Sequence, residues 1–486
     1  MNKPIRTISL FCLVLFLALM LNATYLMYVR SGELTEDPQN RRVITAAFSR
    51  ERGAILVGKD PVARSVPSDD AYDFQRVYPQ PFKYAPLTGF FSYYSQSGIE
   101  RSQNDVLSGE DSRLFVTRLV DMLSNTDPKG GNVQLTIDPD AQTAAYEGLR
   151  ALGEDVQGAV VAIEPATGKV LAMVSNPTYD PNTLATHDFG AVTETFQQLE
   201  QDPAEPLINR SIGTTLPPGS TFKLVTAAAA IESGDYDAES IVPGGTSYQL
   251  PQSTTEVGNQ GGGDCGGNRI TLTQALQVSC NVTFLSLADE LGIEAMTEQA
   301  EKFGFNATSL EDLDGQARSL YPPDMDPPQT ALSGIGQSSV TATPLQMALV
   351  SAGIANDGVV MRPYVVDEVR APNLSLLDKT EESELSQAVS VSTADDLTEM
   401  MVATVDEGTA FAAAIPGVRV AGKTGTAEST DSRPPYAWFT SFAPADDPKV
   451  AVAVLVQSSN TAPGDIAGGR LGGPIAKAVM EAVLNP

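Results

Sequence analysis

The chain has 486 residues, long enough that two domains are expected rather than one. Its 60 Asp and Glu outnumber 31 Lys and Arg, and the formal net charge of -29 excludes a nucleic-acid-binding protein, which needs a basic surface. An apolar content of 42% is ordinary for a chain that buries a core over most of its length.

The first element is a membrane segment. Lys3 and Arg6 precede an apolar run from Ile8 to Leu21, which resumes after Asn22 through Tyr25, Leu26, Met27, Tyr28 and Val29. Residues 8–29 make about 22 positions, enough to span a bilayer. No A-x-A site follows, so an uncleaved anchor is expected rather than a removed signal peptide. The basic residues place a tail of residues 1–7 in the cytoplasm and the rest outside, as a single-pass protein of the plasma membrane.

Residues 30–131 mix short strand and turn patterns and gather no catalytic residue types. Asn40-Arg41-Arg42-Val43 leads to Arg52-Gly53-Ala54-Ile55, a turn entering a short strand. Tyr78, Tyr84, Phe90, Phe91 and their aromatic neighbours read as core and interface packing, and Asp127-Pro128-Lys129-Gly130-Gly131 is a turn-rich break. This region is expected to be a non-catalytic pedestal, with a second domain over 132–486.

That second domain has an α/β (α+β) pattern. Residues 133–137 alternate as a strand, followed by a helix over 139–152. The runs 158–163 and 169–174 flank a five-residue loop, a hairpin signature. Three more strands are predicted over 418–428, 437–442 and 450–456, and Pro474 is expected to open a last helix. Strands from both ends with helices between imply one central antiparallel sheet flanked by helices.

The chemistry lies between those ends. Pro217-Pro218-Gly219 turns into a run of helix formers that stops near Gly234, with Ser220 in its first turn and Lys223 three residues on, on the same face. A serine hydroxyl needs a base to become a nucleophile, and a partly desolvated amine can be that base. The helix N-terminus also favours a developing oxyanion. Downstream follow Ser279-Cys280-Asn281 and Lys423-Thr424-Gly425-Thr426. Ser-x-Asn is weak alone, since Ser102-Gln103-Asn104 and Ser458-Ser459-Asn460 also fit it, but only the copy at 279 lies between the other two motifs.

Cys12 falls in the membrane span, which leaves Cys265 and Cys280 as an even pair in the exported part. A bridge would tie the Gly-rich loop around Cys265 to the middle of the Ser-x-Asn motif; the alternative is two free thiols. His187 is the only histidine and reads as a surface residue, so a Ser-His-Asp triad has poor support and no zinc site is expected.

Ser-x-x-Lys, Ser-x-Asn and Lys-Thr-Gly in this order resemble the penicillin-binding proteins. The likeness extends to Gly98-Ile99-Glu100, Thr136-Ile137-Asp138, Gly334-Ile335-Gly336-Gln337 and Thr343-Pro344-Leu345-Gln346, and so to nearly the whole chain. It is similar to the class B group and, more narrowly, to the actinobacterial penicillin-binding protein A group, which shares the one departure from the common Ser-x-Asn form, a cysteine at its middle position. The resemblance implies a serine transpeptidase/β-lactamase-like fold behind a dimerisation-like pedestal. It implies a D,D-transpeptidase that cross-links peptidoglycan stem peptides, during division, and is acylated by β-lactams. Ser220 would be the nucleophile, Lys223 its base, Ser279 a proton relay to the leaving group and Lys423 a positive charge, while Asn281 would bind the donor peptide amide and help position Lys223. Thr424, Gly425 and Thr426 would hold the substrate carboxylate, with the backbone N–H groups of Ser220 and Thr426 as oxyanion hole. No cofactor and no metal are implied. The partners would be stem peptides, β-lactams, a membrane glycan polymerase and other cell-wall or division proteins.

A D,D-carboxypeptidase or β-lactamase would share the Ser/Lys core, although no E-x-x-x-N loop, which a class A β-lactamase requires, lies between Ser279 and Lys423. A binding-only sensor would have to signal through residues 1–7, and a bifunctional synthase would need a glycosyltransferase domain for which there is no room.

Overall fold

The computed structural model describes residues 3–30, 45, 48–115, 123–124, 129–428, 434–462 and 465–485. Asn40-Arg41-Arg42-Val43 and the Asp127-Pro128 part of the turn-rich break lie outside them. Lys3–Tyr28 is a single exposed helix, long and apolar enough to cross a membrane.

The central sheet has five antiparallel strands in the order Ala421–Ala427, Tyr436–Ala443, Val450–Ser458, Gln157–Ile163, Val170–Asn176. Both ends of the chain supply strands, as the patterning predicts. The near-continuous apolar runs are explained by cover on both faces. Val450, Val452, Val454 and Val456 point to the side closed by the helices Pro139–Arg150 and Gly468–Leu484. Ala451, Ala453 and Leu455 point to the other, against Pro344–Ala355, where the small side chains let that buried helix approach closely. Each fully buried valine or leucine contributes about 1.5–3 kcal/mol.

A second, mixed sheet has six strands, ordered Leu376–Lys379, Val366–Arg370, Asn132–Leu135, Ile55–Val57, Asp60–Pro67, Phe74–Val77. The strand predicted over 133–137 belongs here, parallel to Ile55–Val57, and not to the central sheet. Its alternation reported one buried face but carried no information about which neighbour it pairs with. Under this sheet Glu100 is fully buried between two guanidiniums. Arg52 Nε donates to its Oε2 at 2.6 Å, Arg76 Nε to its Oε1 at 2.6 Å, and the Tyr78 hydroxyl to Oε1 at 3.1 Å.

Two further expectations need correction. The last helix starts at Gly468, with Pro474 inside it. A Cβ on Gly468 would lie 1.8 Å from the Trp438 carbonyl oxygen, so a glycine is what lets this helix start against the strand. His187 is not an open surface residue: its side chain is 8% exposed, its Nδ1 pairs with Asp70 Oδ2 at 2.5 Å, and its ring packs edge-on to Phe48.

Candidate active site

Gly219–Phe222 forms a 3-10 turn that runs into the helix Lys223–Glu232. Leu216 and Ala342 exchange backbone hydrogen bonds below it, and Gly219 N–H donates to the Gly336 carbonyl at 3.0 Å. Gly219 has φ 54, and a Cβ there would sit 2.8 Å from the Thr426 carbonyl oxygen, so both the conformation and the space require glycine. Phe222 stacks on Tyr321 and meets Phe305 edge-on, which anchors the turn from below. Thr226 Oγ1 donates to the Gly334 carbonyl at 2.9 Å. The stretch 334–337 is therefore the shelf on which the serine turn rests.

Lys223 is fully buried and three residues from Ser220. Its Nζ donates to the Ser279 carbonyl at 2.7 Å, to Asn281 Oδ1 at 2.7 Å and to Ser279 Oγ at 3.3 Å. Lys423, also fully buried, donates to Ser279 Oγ at 2.9 Å and to the Thr424 carbonyl at 3.0 Å. Ser279 therefore lies between two amines. It does so in a left-handed backbone conformation, φ 60, which non-glycine residues rarely adopt and which turns carbonyl and hydroxyl onto the two lysines together.

Burial pushes the Lys423 ammonium down to about 7. Burial, and then the charge of Lys423, hold Lys223 well below the ordinary amine range. Lys223 carries a cause that Lys423 does not, and both amines are held toward their neutral forms. Acylation is thus expected to rise with pH as Lys223 becomes neutral and to fall near pH 7 as Lys423 loses its charge. In Lys423→Arg the guanidinium stays charged and the falling limb should disappear; rate profiles from acid to alkaline pH check both limbs.

The serine turn, the Ser-x-Asn motif and the Lys-Thr-Gly strand face one cleft of about 610 Å³, lined among others by Ser220, Ser279, Thr424 and Thr426. Ser220 is 8% exposed on its wall, and among the described residues no hydrogen bond holds its hydroxyl. Ser220 N–H lies in the first turn, where helical N–H groups lack intrahelical partners. Thr424 Oγ1 shares a hydrogen bond of 2.8 Å with Thr409 Oγ1. A Cβ on Gly425 would press on Thr221 and Trp438 at 2.9 Å, which seats the strand against the serine turn. Cys265 and Cys280 are bridged, Cα to Cα 5.7 Å, across a sequence separation of 15 residues. A loop of that length gives a cross-link worth about 3 kcal/mol in the chain-entropy account. Ser220, Ser279, Thr424 and Thr426 line the cleft, and the buried Lys223 and Lys423 reach it through their hydrogen bonds to Ser279. The arrangement offers a hydroxyl nucleophile, an amine base with a depressed pKa, a second cation and backbone N–H donors, which is the equipment of acyl transfer.

The profile of the penicillin-binding protein transpeptidase domain matches residues 158–481. The chain belongs to this family. The penicillin-binding protein A dimerisation domain matches residues 52–133. The chain is 43% identical to the peptidoglycan D,D-transpeptidase PbpA of Mycolicibacterium smegmatis, over all of this chain and 99% of that one, and 42% identical to PbpA of Mycobacterium tuberculosis, again over 99% of it. It superposes on the ceftriaxone acyl-enzyme complex of Mycobacterium tuberculosis penicillin-binding protein A with a TM-score of 0.86 and 42% identity, covering 91% of this chain and all of that one. A penicillin G acyl-enzyme complex of the same protein matches at 0.85, covering 90% and 100%.

This penicillin-binding protein has site residues that motif reading did not single out. Thr409 and Phe411 form one rim, and Gly468 and Gly469 the start of the last helix beneath Thr424. Asn259, beside the Gly-rich loop, holds the Ser-x-Asn motif. None carries a local signal, because each reaches the cleft only through the fold.

Proposed function

We propose that this chain is a peptidoglycan D,D-transpeptidase acting through an acyl-enzyme on Ser220. The reading rests on one observation: Lys223, fully buried and held by Asn281 Oδ1 and Ser279, stands three positions along the chain from Ser220, whose hydroxyl makes no hydrogen bond among the described residues. Ser220 Oγ attacks the carbonyl of the stem peptide's terminal D-alanyl-D-alanine bond, and its proton passes to Lys223. The substrate complex must bring the amine onto Ser220 Oγ, a contact that in free enzymes commonly forms only there. The N–H groups of Ser220 and Thr426 receive the oxyanion. Ser279 Oγ accepts from both lysines, so its own O–H is left to donate to the leaving nitrogen, and it takes in return the proton that Lys223 received from Ser220. The C–N bond breaks and D-alanine departs. An acceptor amine then attacks the ester, forms the cross-linking amide and returns the proton to Ser220. Lys423, Thr424 and Thr426 hold the substrate carboxylate. A β-lactam enters the same sequence, but its leaving group stays tethered in the opened ring.

Residues 1–7 stay inside, 8–29 cross the plasma membrane, and the pedestal of residues 30–131 carries the domain of residues 132–486 outside it. A monofunctional transpeptidase needs glycan strands made by another protein. A membrane polymerase and division proteins, contacting anchor and pedestal, are the proposed partners.

Labelling with a reporter penicillin tests this. A one-to-one adduct that persists for many minutes and is absent from Ser220→Ala is the expected result. Rapid turnover of the adduct would instead make the chain a β-lactamase, and no adduct on folded protein would remove Ser220 as nucleophile.

A further inference from the structure

The helix Asn281–Lys302 begins beside the catalytic lysine, yet its first N–H groups are not capped by its own N-cap residue. That residue is Cys280, whose side chain is committed to the bridge with Cys265. The cap comes from 22 residues away. Asn259 Oδ1 accepts from Asn281 N–H at 3.0 Å and from Val282 N–H at 3.2 Å. The other half of the same amide, Nδ2, donates to the carbonyls of Gly245 at 2.9 Å and Gly263 at 3.0 Å. Both its hydrogens are thereby used, so the amide has one orientation, oxygen toward the helix. The adjacent Gly258 carbonyl accepts from Asn281 Nδ2 at 2.9 Å. This contact directs Asn281 Oδ1 toward Lys223 Nζ, 2.7 Å away.

Building on the acyl-transfer reading above, we propose that Asn259 is a positioning residue for Lys223. It pins the backbone of Asn281 while the carbonyl of its neighbour Gly258 turns the Asn281 side chain, and the two together present Oδ1 to the amine. It also joins the Ser-x-Asn motif to the Gly-rich loop that forms the facing part of the cleft. Asn259→Ala removes the cap and both ties. The 258–259 segment then leaves Asn281, whose amide is free to rotate, and Lys223 loses a fixed acceptor.

The full-length protein in detergent, with Asn259→Ala and Asn259→Asp, separates this role from a merely structural one. Acylation by a reporter penicillin is resolved into non-covalent affinity and the rate of the covalent step. Asn259→Ala is expected to slow the covalent step on the order of 10²-fold, as displaced catalytic groups do, with affinity little changed. Asn259→Asp keeps the acceptor over the helix N-terminus and is expected to restore most of that rate. The proposal falls if the alanine variant loses only affinity or melting temperature, or if aspartate is as slow as alanine. A crystal structure of Asn259→Ala gives a readout independent of activity: the contact between Asn281 Oδ1 and Lys223 Nζ should be broken, and its survival would also overturn the proposal. An unlabelled wild type with that contact broken in the variant would refute acyl transfer and leave the positioning role standing.

Discussion

Lys223→Met is expected to fold and to lose roughly 10²–10⁴-fold in its rate of acylation by a β-lactam, the usual contribution of a positioned base. Methionine keeps an unbranched chain of similar volume in a fully buried site, so little packing is lost. It cannot accept the proton of Ser220. It also releases the Ser279 carbonyl and Asn281 Oδ1, each now 2.7 Å from Nζ. Some stability is expected to be lost with those contacts, about 1–3 kcal/mol for buried acceptors left without a donor. Stopped-flow labelling beside a thermal melt reads both effects. A folded variant that acylates at the wild-type rate would show that Lys223 is not the base.

Glu100→Ala is expected to cost about 3–5 kcal/mol of stability, the penalty for breaking a buried ion pair from one side. The carboxylate is fully buried and is the shared acceptor of Arg52, Arg76 and Tyr78. Its removal strands two guanidiniums that are 4% and 1% exposed. Burial works against the charge of Glu100, but Arg76 and Arg52 outweigh it and hold the carboxyl below its usual range. The stabilisation is therefore complete above the unfolded carboxyl's pKa and is lost as pH falls through the lower folded value. Denaturant titrations at neutral and acid pH test this, and the gap between wild type and variant should narrow in acid. No member of this cluster lines the cleft, so Ser220 labelling of the folded fraction should survive. A variant as stable as wild type at neutral pH would contradict the assignment.

The motif residues of the cleft are legible because each belongs to a short motif set in its own local structure. Ser220 and Lys223 share one turn, and the alanine-rich run behind them forms a helix by propensity as well as by packing. The hairpin of Gln157–Ile163 and Val170–Asn176 was equally legible, since one short loop sets its register. Strand Asn132–Leu135 is readable as a strand, but its alternation does not say that it pairs with Ile55–Val57 and Val366–Arg370 rather than in the central sheet. The last helix starts at Gly468 rather than at the expected Pro474, because propensity disfavours its glycine-rich first turns and the close approach to Trp438 needs them.

The sequence by itself determined the residue types of the site, their order along the chain, the strands of the central sheet and the apolar N-terminal segment. Tertiary structure decided how those types act. It placed two lysines on one serine hydroxyl, turned Ser279 into a left-handed conformation to meet both, and supplied Asn259 as a distant cap. Propensity and periodicity report on neighbours a few positions apart. The contact of Lys223 with Asn281 spans 58 residues and that of Lys423 with Ser279 spans 144. Contacts over such separations exist only once the sheet and its covering helices have brought the three motifs to one cleft, and burial there lowers the lysine pKa values.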